Sequence, residues 1–408
     1  MVAITSLKTA IEKQLAKGPN EVSIIELVDR IVEYGYSSRA SDIHIDPAED
    51  KVMVRLRIDG ILHDTFPFSS ELQAEVVSRI KVLSGLKTDI HHAPQDGRFK
   101  AQVEGGKDID IRVSITPTYY GENVVMRLLV DTVQVFTLQD LGFSPDQLVL
   151  VENAIQKPFG MILANGPTGS GKTTTLYTIL KKLNTREVSI ITIEDPIEYS
   201  IPGVTQIPVS LQAGLTFANG LRSILRQDPN IIMVGEIRDS ETASIAVNAA
   251  LTGHLVLSTL HTSDAATTFP RLVDMGVPHF LVSSTVNVVI AQRLVRKVCI
   301  TCRKSRTLNV AELKSLGGIA KDALVEKVYA AGPGCKECNG EGYQGRIGIY
   351  EVLEVNDEIR TLIASRADAA QIRETAVKQG MRTMIANGLA KAHEGVTTIE
   401  EILRIIHE

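Results

Sequence analysis

The stretch "GPTGSGKTTT" at residues 166–175 constrains this chain more than any other. Gly166 and Gly171, followed by Lys172 and Thr173, have the spacing of a phosphate-binding loop. Glycines let the backbone curl until its N–H groups point at phosphate oxygens, and a following helix adds the positive end of its dipole. The cradle is expected to comprise Gly166, Pro167, Thr168, Gly169, Ser170, Gly171, Lys172, Thr173 and Thr174. Lys172 is expected to reach the β- and γ-phosphates, and the Thr173 hydroxyl to hold Mg²⁺. Apolar "MILA" before the loop and helical spacing after it supply the strand–loop–helix context. Such a loop implies a nucleoside triphosphate without saying what its energy is used for.

Three further stretches bear on that use. "NIIMVGEIRD" reads as a buried strand delivering a carboxylate, here Glu236 after Gly235, beside a metal. "ITIEDPIEY" crowds Glu194, Asp195 and Glu198 at a strand end that Pro196 stops. Either Glu194 or Glu236 is a candidate base for orienting an attacking water, against the plain alternative of a solvated turn. "TGHLVLSTLHTSDA" brackets a strand with His254 and His261, whose odd spacing points them to opposite faces of a regular strand.

Around these boxes, short apolar strands alternate with helical stretches, predicting a parallel sheet covered by helices. Upstream, "SDIHIDP", "KVMVRLRIDGIL", "DIDIRVSITPT" and "NVVMRLLV" alternate apolar and polar residues as half-buried strands do, and "ELQAEVVSRIKVLSGL" has helical spacing. The expected organisation is a tail at 1–20, an α+β domain at 21–130, a linker at 131–148, an α/β ATPase domain at 149–297, a cysteine-bearing subdomain at 298–345 and a helical region at 346–408. At 408 residues the chain is too long for one ordinary core. A net charge of −5 gives no global pull toward nucleic acid or anionic lipid. The chain reads as cytoplasmic, so paired thiols point to metal or redox chemistry rather than disulfides.

All four cysteines fall in two C-x-x-C pairs, Cys299/Cys302 and Cys335/Cys338. Four thiolates suit a tetrahedral Zn²⁺, the rival being a thiol redox pair. A site closed by four thiolates leaves no position for substrate, so this zinc would be structural.

The four boxes, in this order, resemble the secretion ATPase superfamily of type II secretion and type IV pilus machines. The upstream "ASDIHIDP", "RLRIDG", "PQDGR" and "GENVVMRLL" are similar to that family's PAS-like domain, and the boxes to its RecA-like ATPase domain. The resemblance implies ATP, Mg²⁺ and structural Zn²⁺, a homo-hexameric ring, and ATP held between two domains with arginines of the first completing the site. By position these are Arg112 and Arg127; His254 and His261 become candidate γ-phosphate sensors. The cysteine subdomain implies an assembly ATPase, acting on an inner-membrane platform protein from a cytoplasmic, peripheral position. Assembly ATPases commonly carry one more N-terminal domain, most of which this sequence does not match. The competing reading is a DNA-uptake or nucleic-acid-associated ATPase, motivated by Arg293, Arg296, Lys297, Arg303, Lys304 and Arg306 around the cysteines. Aromatic residues at 4%, with no Trp, leave few stacking platforms for bases, so direct nucleic-acid contact is not expected.

Overall fold

A computed structural model describes residues 2–103, 106–129, 136–308 and 327–407. The chain divides into two compact units, Met1–Gln134 and Val135–Glu408.

In the first unit, β1 (Ala40–Pro47), β2 (Lys51–Ile58), β3 (Ile61–Ser69), β4 (Gln95–Val103), β5 (Lys107–Thr118) and β6 (Gly121–Leu129) form one sheet in the order β3-β2-β1-β6-β5-β4. Every pairing is antiparallel. Alternation decides the faces. Ile43, Ile45, Val54, Ile111, Val113 and Met126 point into a core closed by the helices Ile24–Ser37 and Gln73–Leu83. The first helix approaches β1 so closely that a Cβ on Gly35 would lie 2.7 Å from Ile43 Cδ1. Ile11, expected in a tail, is fully buried in this core from the helix Val2–Leu15.

The opposite face carries a row of charge. Strand register aligns Arg57, Asp42, Arg127, Arg112 and Arg98 across five strands. Asp42 is buried and accepts from Arg127 Nε at 2.9 Å. His91 joins a buried ion pair in this unit. Fully buried Lys81 pairs with Glu122 at 2.7 Å and donates to the Ile90 carbonyl, and His91 Nδ1 lies 2.9 Å from Glu122. Burial pushes the Glu122 carboxyl up, but hydrogen bonds from Lys81 and His91 outweigh it and hold it below the usual range.

The second unit is built on β7 (Gly160–Asn165), β8 (Ile190–Glu194), β9 (Thr205–Pro208), β10 (Ile231–Val234), β11 (Leu255–Leu260), β12 (Val286–Val298) and β15 (Tyr343–Glu354), in the order β15-β12-β7-β11-β10-β8-β9. All pairs are parallel except β12–β15. Neighbouring residues on the central strands enter two different cores. Met161, Leu163 and Val234 face one cluster; Ile162, Ala164 and Met233 face the other. A sheet buried on both faces is why these strands read as continuous apolar runs.

Two segments differ from the sequence expectation. Leu138 and Phe143, assigned to a linker, lie in the core of the second unit. Residues 346–354, assigned to a helical region, extend β15 antiparallel along β12, because "IGIYEVL" fills the sheet edge with residues that suit a strand. The helices Asp357–Ala364, Ala369–Lys378, Met384–His393 and Ile399–His407 follow. The cysteines flank a small sheet of β13 (Lys304–Arg306) and β14 (Val328–Ala330). The middle of the cysteine subdomain, 309–326, residue 130 and 131–135 of the linker lie outside the described residues.

Candidate nucleotide site and cysteine cluster

In a parallel sheet the carboxyl ends of the strands, with the helix N-termini that follow, form the binding edge. The loop 166–171 leaves β7 at that edge and enters the helix Lys172–Leu183. Gly166, Gly169 and Gly171 all have positive φ, at 143°, 80° and 89°, which side chains tolerate poorly. Lys172 Nζ folds back onto the carbonyls of Gly166 and Pro167 at 2.7 and 3.0 Å. Burial pushes this lysine down to about 8, partly offset by the charge of Glu236. The hydroxyl-bearing Thr173 and Thr174 open the helix, both half-buried.

Glu236 follows β10 at the same edge. Its carboxylate meets Arg238 Nε at 2.6 Å and His261 Nε2 at 3.4 Å. His261 follows β11, and its loop is pinned from below by buried Glu351, which accepts from the Ala265 N–H at 3.1 Å. Burial raises the Glu351 carboxyl above its ordinary range. Lys172, Glu236 and His261 are thus brought to one edge.

Glu194 stands apart in character. It is 2% exposed at the end of β8 and accepts from Tyr177 Oη, Thr192 Oγ1 and Gln206 Nε2. Three donors occupy its oxygens, so its geometry is that of an internal acceptor. Burial, then Glu194 itself, push the Tyr177 hydroxyl far above its usual range, so it stays a donor. His254 does not join the edge. It precedes β11, at the amino end of a six-residue strand, about 20 Å of extended chain from His261. There Nδ1 lies 2.9 Å from the Ala249 carbonyl, and its own carbonyl accepts from Gly160. Arg112 and Arg127 belong to the charged row of the first unit.

Sequence reasoning missed Gln292, which reaches from β12 to Ser170 and Thr175. Its signal was a glutamine interrupting the apolar run "VVIAQ". Tyr177 and Gln206 were missed because nothing local ties them to Glu194.

The four cysteine sulfurs lie within 4.8 Å of one another. Cys299–Cys335, Cys302–Cys338 and Cys335–Cys338 are separated by 3.7, 3.8 and 3.7 Å. A tetrahedron with metal–sulfur bonds of about 2.3 Å has edges of about 3.8 Å, whereas a disulfide needs about 2.05 Å. The backbone N–H groups of Cys335 and Gly342 point at Cys338 Sγ, as a thiolate requires. The residues therefore fit zinc. Three of the nearby basic residues are committed internally. Arg296 pairs with buried Glu401 and stacks on Tyr343, Arg303 stacks on Tyr329, and Arg306 pairs with Glu400.

The family described as "Type II/IV secretion system protein" matches residues 18–404. The chain belongs to that family. Among its members, the "Type IV pilus assembly ATPase PilB" of Myxococcus xanthus is 43% identical over 98% of this chain and 71% of its own length. The "Type II secretion system protein E" of Xanthomonas campestris is 47% identical over 95% of this chain and 68% of its own length. Among solved structures, the pilus retraction motor PilT with bound ADP superposes with TM-score 0.62 at 27% identity, covering 92% of this chain and 96% of PilT. The Legionella pneumophila ATPase DotB shares the fold at TM-score 0.69 and 24% identity, over 96% and 98% of the two chains. Among the described residues of this family member, no helix is long and apolar enough to cross a membrane.

Proposed function

We propose that this chain is an ATP-hydrolysing motor subunit that powers assembly of a type IV pilus or a type II secretion pseudopilus. The observation that carries the reading is the meeting of Lys172 and Glu236 at the carboxyl edge of a parallel sheet. The names carried by relatives sharing 43% and 47% of their residues with it point to the two filament systems. The nucleic-acid reading is not favoured, because Arg296, Arg303 and Arg306 are occupied by glutamates and tyrosines.

In this reading the backbone N–H groups of 166–174 other than Pro167, together with Lys172, bind the ATP phosphates, and the Thr173 hydroxyl would hold Mg²⁺. When bound there, the metal would neutralise charge on the phosphate oxygens. Glu236 accepts a proton from the attacking water, and His261 at 3.4 Å answers to its charge. Glu194 holds the helix Lys172–Leu183 to β8 through Tyr177. His254 has no part at this edge. The first unit is read as PAS-like and the second as RecA-like. Arg112 and Arg127, opposite each other on paired strands, supply a charge that favours an anionic phosphoryl group. The family resemblance adds the reading of a homo-hexameric ring, working against an inner-membrane platform protein from its cytoplasmic side.

Two experiments test this. ATP turnover per chain should rise with protein concentration and fall at least about 10³-fold in Arg127→Ala, the scale of a lost arginine finger. Turnover that is flat with concentration and indifferent to Arg127 would rule out a site completed by assembly. The cysteine cluster should bind one zinc per chain by elemental analysis, with a strong chelator lowering the thermal midpoint. A chain purified without metal that melts at the same temperature would refute a structural zinc.

A further inference from the structure

We propose that Gln292, in the middle of β12, is a positioning residue that selects the peptide orientation of the phosphate loop. The inference rests on reading that loop as the nucleotide site. Gln292 is 1% exposed. Its Nε2 donates to the Ser170 carbonyl at 2.8 Å, and its Oε1 accepts from the Thr175 hydroxyl at 2.8 Å. Chemistry fixes which way round the amide sits. A carbonyl only accepts, so nitrogen must face Ser170 and oxygen is left for Thr175. The backbone joins in. A Cβ on Gly166 would lie 2.4 Å from the Gln292 carbonyl oxygen, and one on Gly171 would lie 3.2 Å from Nε2. One residue of β12 therefore abuts the loop's first glycine, its last peptide and the first turn of the helix.

The consequence follows from the geometry of the peptide unit. In a planar trans peptide the carbonyl of Ser170 and the N–H of Gly171 point in opposite directions. Holding that carbonyl against β12 aims the Gly171 N–H away from the strand, out toward bound phosphate. The glycines make this restraint necessary. Gly171 at φ 89° permits the curl, but glycine permits the flipped peptide almost as readily. Composition makes the loop possible, and Gln292 chooses one of its states. An apolar residue would leave two buried polar atoms without partners; glutamate would set a carboxylate against a carbonyl.

The test uses the full chain with Gln292→Leu and Gln292→Glu. Mg-ATP and inorganic pyrophosphate, which reports the phosphate subsite alone, are titrated by calorimetry, with steady-state hydrolysis alongside. Both probes should bind about tenfold more weakly, with KM raised about tenfold and kcat lowered by less than about threefold. A residue that merely supports folding would instead lower the active fraction, and so kcat, with KM unchanged. If the leucine variant fails to fold, the glutamate variant, which keeps the volume, decides. Pyrophosphate and ATP affinity within about twofold of native in folded Gln292→Glu overturns the proposal. Failure of the native chain to bind either probe would instead count against the nucleotide site itself.

Discussion

Replacing Lys172 with alanine should abolish ATP hydrolysis, with kcat/KM falling at least about 10³-fold. The lysine is 9% exposed and already folded over the loop, held by the carbonyls of Gly166 and Pro167, so its charge needs little reorganisation to meet phosphate. The same lysine leaves a signature in pH. Burial lowers its proton affinity to about 8 in the unliganded chain, with Glu236 opposing that shift. Phosphate binds the charged form, so ATP affinity should fall as pH rises through about 8, approaching tenfold per pH unit. In Lys172→Ala that dependence should vanish. For folding the sign is opposite to that of an ordinary paired lysine. The folded-state value lies below the unfolded one, so the cost of the buried charge is full below about 8 and relieved as pH climbs past the unfolded value. Turnover in Lys172→Ala within about twofold of native would move the chemistry to another site.

The second large effect separates the two carboxylates. Glu236→Gln should lower kcat by about 10²- to 10⁴-fold, the range for loss of a general base, while ATP still binds. Glu194→Gln should act differently. Its new amide N–H₂ would confront donors from Tyr177, Thr192 and Gln206, costing about 1–3 kcal/mol of stability with a smaller loss of kcat. Thermal melts and single-turnover hydrolysis on both variants distinguish the cases. If Glu194→Gln kept its stability and lost turnover while Glu236→Gln stayed active, the roles assigned here would be reversed.

The two carboxylates also mark where reading the sequence stops. Both lie at the ends of short apolar strands beside a strand-breaking residue, Pro196 for one and Gly235 for the other, so local pattern ranks them equally. What distinguishes them is their company: Glu194 faces Tyr177 from the helix and Gln206 from the edge strand, whereas Glu236 faces Arg238 and His261. His254 and His261 behave the same way. Their odd spacing placed them on opposite faces, but strand direction separates them further, leaving His261 at the binding edge and His254 at the far end.

The sequence by itself determined the local chemistry. Three glycines that take positive φ, a lysine and two threonines have the makings of a phosphate cradle, and two C-x-x-C pairs supply the four thiols that a tetrahedral metal site needs. The periods of the apolar residues likewise set half-buried strands in the first unit and fully buried ones in the second. Tertiary structure decided whatever depends on residues distant in the chain. It brought Gln292 onto a loop more than a hundred residues earlier, sent 346–354 into a strand along β12, and aligned Arg57, Arg127, Arg112 and Arg98 across one sheet face. The physical reason is the same in each case. Backbone propensity and periodicity act over a turn or a strand, whereas register and strand order are set by how whole faces bury against each other.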